Sequence, residues 1–429
     1  MEVIKEQVEK LVTDEKFGPA IQSEYKKKIT EQVLENEIRF LKQIHEASDD
    51  ATSFTSGVKN WDPVLIRMVR RATPQLMAFD LAGVQPMSGP TGSIFAMRSR
   101  YNTQTGDEAL FGEANSAFSG TGTQAGDTSG FAANEFGSGD PTASTSHGTG
   151  MALTDAENLG NTSGSAWKEM TFSVERVDVS AVSRKLKASF SRELQQDLRN
   201  IHGLDAETEL ANILSTEIAA EQDRELLRTI NISAVIGAGD ATVPGNFNLE
   251  ADSDGRWLVE KFKGLIFQIE LEANAVAIAT RRGKANAIIC SANVASALNM
   301  AGVLQYNPQM AANLNVDVTS STFCGILLGR YKVYADPYAT VDYVTVAYVG
   351  TNAWDAGVYF CPYIPLEMVR TVTEGSFQPR IGFATRYAIA ANPFMSNNAD
   401  GTTKSGKGLG QGENGYFRKF RVSNIATSK

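Results

Sequence analysis

From Asn102 to Ser173 the chain contains no Val and no Ile, and from Asn102 to Ala166 it contains no Lys or Arg. Gly, Ser, Thr, Ala and Asn dominate, with Phe111, Phe118, Phe131 and Phe136 standing alone. Bulky apolar side chains supply most of the surface that folding removes from water, so a tract this long without them cannot make its own core. Loops beyond about 15 residues are uncommon inside compact domains, and those that persist are usually functional or disordered. The tract is therefore either a disordered linker or an arm that packs against something else. On the second reading its scattered Phe side chains are anchors in a partner's surface.

The residues before the tract, 68–101, predict how it leaves the body. Arg70 and Arg71 end an amphipathic run, and Pro74 reopens a short one through Leu76, Met77 and Phe79. Gly83, Pro86, Gly89, Pro90 and Gly92 then predict defined turns in place of helix or sheet ladder, because Gly supplies φ > 0 and Pro fixes φ. Ser93 to Tyr101 reads as an outgoing strand. Phe172, Val174, Val177 and Val179 read as the returning one, with a one-residue slip that predicts a bulge or bend.

The remaining pattern is mixed. Val3, Ile4, Val8, Leu11 and Val12 predict one helix, and Ile29, Val33, Leu34, Ile38 and Leu41 a second. The first 46 residues carry eight Lys/Arg and ten Asp/Glu. This unit is either a helical hairpin docked on the body or a removable, partner-binding segment. Ser191 opens a short helix stopped at Gly203, and Asp205 is the expected N-cap of a long helix to about Asn231. Leu210, Leu214, Ile218, Leu226 and Ile230 form its apolar stripe. Glu217, Glu221, Asp223, Arg224 and Glu225 are expected to face solvent or a neighbour. Residues 257–280 predict another helix, with Arg281, Arg282 and Gly283 as its stop signal. Residues 287–290, 331–334, 343–349, 357–364, 377–394 and 416–422 predict strands, and 291–300 a helix, without a regular βαβ rhythm.

Chemistry is hard to place on this chain. Cys290, Cys324 and Cys361 match no metal or redox spacing and sit among apolar neighbours, so they read as small buried residues. Only three His occur. There is no GxSxG, no GxxxxGK and no HExxH, and pairs such as Asp49-Asp50 or Asp205 with Glu207 are explained by solvation or capping. Gly120, Gly122 and Gly126 fall in a GxGxxxG spacing with no preceding strand, which a Gly-rich tract produces by chance. No cofactor and no metal site are expected. The net charge of −9 argues against a dedicated nucleic-acid binder. No apolar run approaches the ~20 residues of a membrane span, and MEVIKEQVEK has no apolar signal core, which predicts a chain made in a cytoplasm. These features favour a self-assembling structural protein over a soluble α/β enzyme with a Gly-rich lid.

A family resemblance runs through the same residues. The run Met68, Phe79-Asp80, Val84-Gln85-Pro86-Met87 and Pro90-Thr91-Gly92 resembles the major capsid protein of T-even-type tailed bacteriophages. The likeness continues at Ser183 to Ala188, Gln196 to Arg199, His202 to Glu207, Gly329 to Tyr334 and Asn392 to Phe394. It implies an α+β chain of the Hong Kong 97-like phage capsid fold. The implied parts are a helical propeptide (1–46), an N-arm (47–85) and an extended loop with a variable Gly/Ser-rich insertion (86–173). A peripheral domain with a long spine helix (174–244 and 369–429) and an axial domain (245–368) complete it.

The resemblance also implies hexamers closing into an icosahedral head around DNA that is held without specific binding. Implied partners are copies of the same chain, a prohead protease and scaffold during assembly, vertex proteins and a decoration protein. A prohead protease of such phages cuts after an apolar-x-Glu tripeptide, and Ile44-His45-Glu46 before Ala47 matches it. Cleavage between Glu46 and Ala47 is therefore expected, in a stretch where chains are readily nicked. Some shells of this fold are welded by Lys–Asn isopeptide bonds from the extended loop; with no Lys from Asn102 to Trp167, none is expected from it here. The paralogous pentameric vertex protein is the alternative within the same shell.

Overall fold

A computed structural model of the chain describes residues 23–47, 76–106, 108–110, 114–124, 146–160, 166–203, 205–239, 241–253, 255, 257–302, 304–306, 322–350, 352, 354–372, 378–392, 394 and 411–425. Contacts divide the chain into a larger unit (1–93, 178–397, 404–429) and a smaller one (94–177 with 398–403). The first predicted helix, Phe111, Phe131, Phe136 and most of the 399–415 loop lie outside the described residues.

In the larger unit the order begins with helix α1 (Glu24–Ala47), the single turn α2 (Ala78–Leu81) and strand β1 (Gly83–Val84). The chain passes into the smaller unit within β2 (Thr91–Tyr101), forms a short helix α3 (Leu153–Asn158), and returns within β3 (Met170–Ser180). Then come β4 (Val182–Ser189), α4 (Arg192–Asp197) and α5 (Ala206–Ser233). They are followed by β5 (Ala234–Ile236), β6 (Asn246–Asn248), α6 (Leu258–Thr280), β7 (Ala287–Ser291) and α7 (Ala292–Met300). The rest is strand: β8 (Leu304–Tyr306), β9 (Thr322–Leu327), β10 (Tyr331–Asp336) and β11 (Tyr343–Ala347). The series ends with β12 (Val358–Val372), β13 (Pro379–Ala391) and β14 (Asn414–Ser423).

The central sheet has strand order β5-β14-β11-β7-β10-β9-β8, with β6 also paired to β14. Both of its faces are covered, and the alternation along each strand shows how. Ile288 and Cys290 of β7, Val333 of β10 and Val344 and Val346 of β11 meet Phe262, Leu265 and Ile269 of α6. Ala287, Ile289, Tyr334, Ala347 and Phe417 point the other way, into a second cluster with Leu226, Leu227 and Ile230 of α5. A strand buried on both sides must be apolar at consecutive positions, which is why β7 reads AIICS with every residue buried. The three cysteines are buried and free, as the sequence predicts.

A second sheet, ordered β1-β12-β13-β4, packs one face on the N-terminal half of α5 through Phe190, Leu214, Ile218, Ile381 and Phe383. β4 has no clear apolar signature, because Arg184, Lys185 and Lys187 interrupt it; it is a strand because it pairs with β13 from Val182 to Ser189.

Several local expectations are corrected. Gly83 and Val84 form a parallel ladder with Tyr359 and Phe360, and Gln85 and Met87 donate to Phe360 and Pro362. Pro86 is tolerated there because alternate residues of an edge strand turn their N–H away from the sheet. Along β3 exposure alternates without interruption, so the apparent slip is a change of face: Phe172 and Val174 point out, while Val177 and Val179 lie on the other side. Asp205 precedes α5 but its carboxylate accepts from the Thr208 hydroxyl (3.0 Å) and caps no backbone N–H. The left-handed residue ending α6 is Arg281 (φ 54°), not Gly283. Gly283 is needed for space, since a Cβ there would lie 2.8 Å from the Tyr348 ring.

The polar flank of α5 is divided: Glu217 is exposed as expected, while the others find partners within the chain. Asp223 is 1% exposed and accepts from the Met77 amide (3.1 Å), Arg224 pairs with Asp336 (2.7 Å), and Glu221 and Glu225 hold Arg184 (2.7 and 2.5 Å).

Candidate assembly site

β2 and β3 form a two-stranded ribbon. Ala181 donates to Pro90 and Asn102 to Glu169, so one antiparallel register holds from end to end. On one face Arg98 lies 3.7 Å from both Glu108 and Glu175, and Arg100 donates to Glu175, Ser173 and Gly106 (2.8 Å each). The turn after β2 lies against this face, with Ala109 donating to Ser99 (2.7 Å). Arg98 is 4% exposed. On the opposite face Phe95 is 61% and Met97 76% exposed, beside Met170, Phe172 and Val174 at 54–61%.

This inverts the usual order, in which charge is solvated and apolar surface is covered. Five adjacent apolar side chains exposed on one ribbon face mark an interaction surface. Strand alternation was visible in the sequence, but which face is bare depends on where residues 102–110 fold back, and no local signal carries that.

The tract beyond is held by small polar groups. Thr121 and Thr149 exchange two backbone hydrogen bonds (2.8 Å each), Ser146 donates to Thr123 (2.8 Å) and the Gly148 amide to Ser116 Oγ (2.9 Å). Gly120 serves this bridge, since a Cβ would lie 2.1 Å from the Thr149 carbonyl oxygen. Phe118 was expected as a partner anchor; instead it packs on Tyr101 of its own chain, ring centroids 4.5 Å apart. Leu110 and Trp167, which sequence reasoning passed over, are 87% and 73% exposed.

The expected processing residues Ile44, Glu46 and Ala47 fall at the C-terminal end of α1. Upstream, α1 is built into the larger unit. Ile29, Val33 and Leu34 are at most 4% exposed, and Ile29 and Val33 join the cluster containing Phe79, Val84 and Phe360. Each such side chain contributes about 1.5–3 kcal/mol of transfer free energy. The Tyr25 hydroxyl donates to the Val84 carbonyl (2.8 Å) and accepts from the Val84 amide (3.1 Å), closing the free edge of β1. The Asn36 amide donates to Met87 O (2.7 Å) and Tyr363 O (3.1 Å).

Among the described residues no group of His, Cys, Asp and Glu could hold a metal ion, and no helix is long and apolar enough to cross a membrane. A covered body joined to a ribbon with a bare apolar face defines a structural chain that other chains complete. The sequence matches the family model described as major capsid protein Gp23 over residues 58–422. It is 43% identical to the major capsid protein of Salmonella phage ViI, over 97% of this chain and 99% of that one. Against that of Enterobacteria phage T4 the identity is 36%, over 89% and 86%. The T4 capsid vertex protein is 28% identical over 52% of this chain and 53% of its own. Among solved structures, a chain of the capsid of Myoviridae phage XM1 aligns with a TM-score of 0.39 at 10% identity, over 81% and 92%. The chain belongs to the major capsid protein Gp23 family.

Proposed function

We propose that this chain forms the hexamers of an icosahedral, Hong Kong 97-like head of a tailed phage, enclosing DNA without binding it specifically. The observation that carries this reading is the inverted ribbon: charge paired and buried on one face, five apolar side chains bare on the other. Laid over a neighbouring copy, the bare face gains the cover it lacks in the single chain. The parts assigned from the family resemblance (N-arm 47–85, extended loop 86–173, peripheral 174–244 and 369–429, axial 245–368) are the working units of that shell. Longer and stronger similarity to major capsid than to vertex proteins supports the hexamer over the pentamer.

The leader through Glu46 is removed by a prohead protease during maturation, with scaffold, vertex and decoration proteins as further partners. N-terminal sequencing of protein from mature particles is expected to begin at Ala47; Met1 there rules the cleavage out. Electron micrographs of the purified chain are expected to show hexamers, tubes or shells in the wild type and only small oligomers in a Phe95→Asp, Phe172→Asp double variant. Shells of normal yield from that variant would sink the ribbon's role.

A further inference from the structure

We infer that cutting the chain and losing the leader are separate steps: after cleavage at Glu46–Ala47 the leader helix stays behind as a non-covalent ligand of its own groove. This rests on the cleavage reading above, but its physical basis is independent of which protease acts. The anchors named above, from Tyr25 to Asn36, all lie upstream of the bond. At 3.6 residues per turn, about three turns of helix separate Asn36 from Ala47. Severing the chain beyond them removes a tether and no anchor.

The groove is specific for what it holds. Its floor is apolar (Phe79, Val84, Phe360), which fits the Ile29 and Val33 face of an amphipathic helix. Its rim presents backbone groups that need partners: both polar groups of Val84 at the edge of β1, and the carbonyls of Met87 and Tyr363. Tyr25 and Asn36 satisfy them at the two ends of the docked stretch. Loss of the leader strips these groups and the apolar floor together, so departure is slow and depends on how well the anchors hold. Lys26 over the Phe79 ring, 5.2 Å from its centroid, adds a further contact on the same face. The surface is therefore a helix-binding site whose first occupant is the protein's own leader.

The test uses the full chain with a recognition sequence for an unrelated, site-specific protease inserted between Glu46 and Ala47, and a dye at residue 2. After cutting, the labelled leader is expected to co-elute with the body on size exclusion. Unlabelled synthetic peptide 23–46 in excess should then chase it off slowly. Val33→Ala should speed release roughly tenfold or more, and Tyr25→Phe, which removes one hydroxyl and little volume, several-fold. Circular dichroism of each uncut variant confirms that it is folded. Separation of the leader in the first column pass, at one rate for wild type and both variants, overturns the inference. Failure of the native protease to cut at Glu46 overturns the cleavage reading alone, because the inserted site still reports retention.

Discussion

The central sheet and the β2–β3 ribbon obey opposite rules within one chain. In the sheet, the apolar residues of β7 and β10 alternate between two buried layers, so these side chains find partners in their own subunit. In the ribbon, alternation separates a charged layer satisfied within the arm from an apolar layer that the subunit leaves bare. The first region stores the stability of the folded monomer. The second leaves apolar surface exposed, which the proposed function covers with another chain. A substitution should therefore register in unfolding experiments in one region and in assembly experiments in the other.

The most damaging single change to the isolated subunit is expected in the sheet. Phe417→Ala, at a side chain with no exposure, should cost about 3–5 kcal/mol in chemical denaturation. A loss below ~1 kcal/mol would mean that this layer is not tightly packed.

Next comes the buried carboxylate on α5. Burial raises Asp223 to about pKa 8, against the pull of the Met77 amide and of Arg224, and its Oδ2 has no hydrogen-bond partner. The folded carboxyl keeps its proton to near pH 8 while the unfolded one releases it near 3.8. Folding thus takes up a proton in between, and the contribution of this site is full below the lower value and lost as pH rises through the upper one. Asp223→Asn should flatten that part of the pH profile and gain on the order of 2 kcal/mol relative to wild type at pH 8. Unchanged slopes between pH 5 and 8 would show that Asp223 is ionised in the native state.

Smaller again is Asn36→Ala, which leaves two carbonyls without their donor and should cost roughly 1–3 kcal/mol in the uncut chain. In protein trimmed to Ala47 and freed of the leader this position no longer exists, so the trimmed form should be less stable than the full chain by at least as much.

The smallest effect on the monomer is the sharpest for the comparison. Phe95→Ser with Met97→Ser should change unfolding free energy by no more than about 0.5 kcal/mol, as exposed positions do, yet prevent assembly. A large loss of monomer stability would place these side chains inside the subunit's own core. With no Lys from Asn102 to Trp167, particles should also dissolve to single chains on a denaturing gel; a covalent ladder mapped to that stretch contradicts this.

Much of this was legible before any coordinates. Periodicity located α5, α6 and eight of the strands, although β12 runs to Val372, well past the expected Ile364. The coreless tract was visible from composition, as was the likeness to phage capsid proteins. The ribbon's two strands were placed, although its bare face was not. β1, β4, β5, β6, β8 and β9 escaped detection; β1 and β4 show why, since an edge strand of two residues and one rich in Arg and Lys have no apolar pattern of their own and exist through β12 and β13.

What the sequence determined by itself is the inventory: helices, strands, buried cysteines, and an arm too poor in apolar residues to stand alone. Only the tertiary structure decided orientation. It turned Asp223 inward, paired Arg224 with Asp336, seated Ile29 and Val33 of the leader in the body, and left Phe95, Met97 and Phe172 uncovered. A repeat along the chain says that two faces differ. Which face meets the rest of the molecule is settled by contacts between residues far apart in sequence, such as Asn36 with Tyr363, and those carry no local signal.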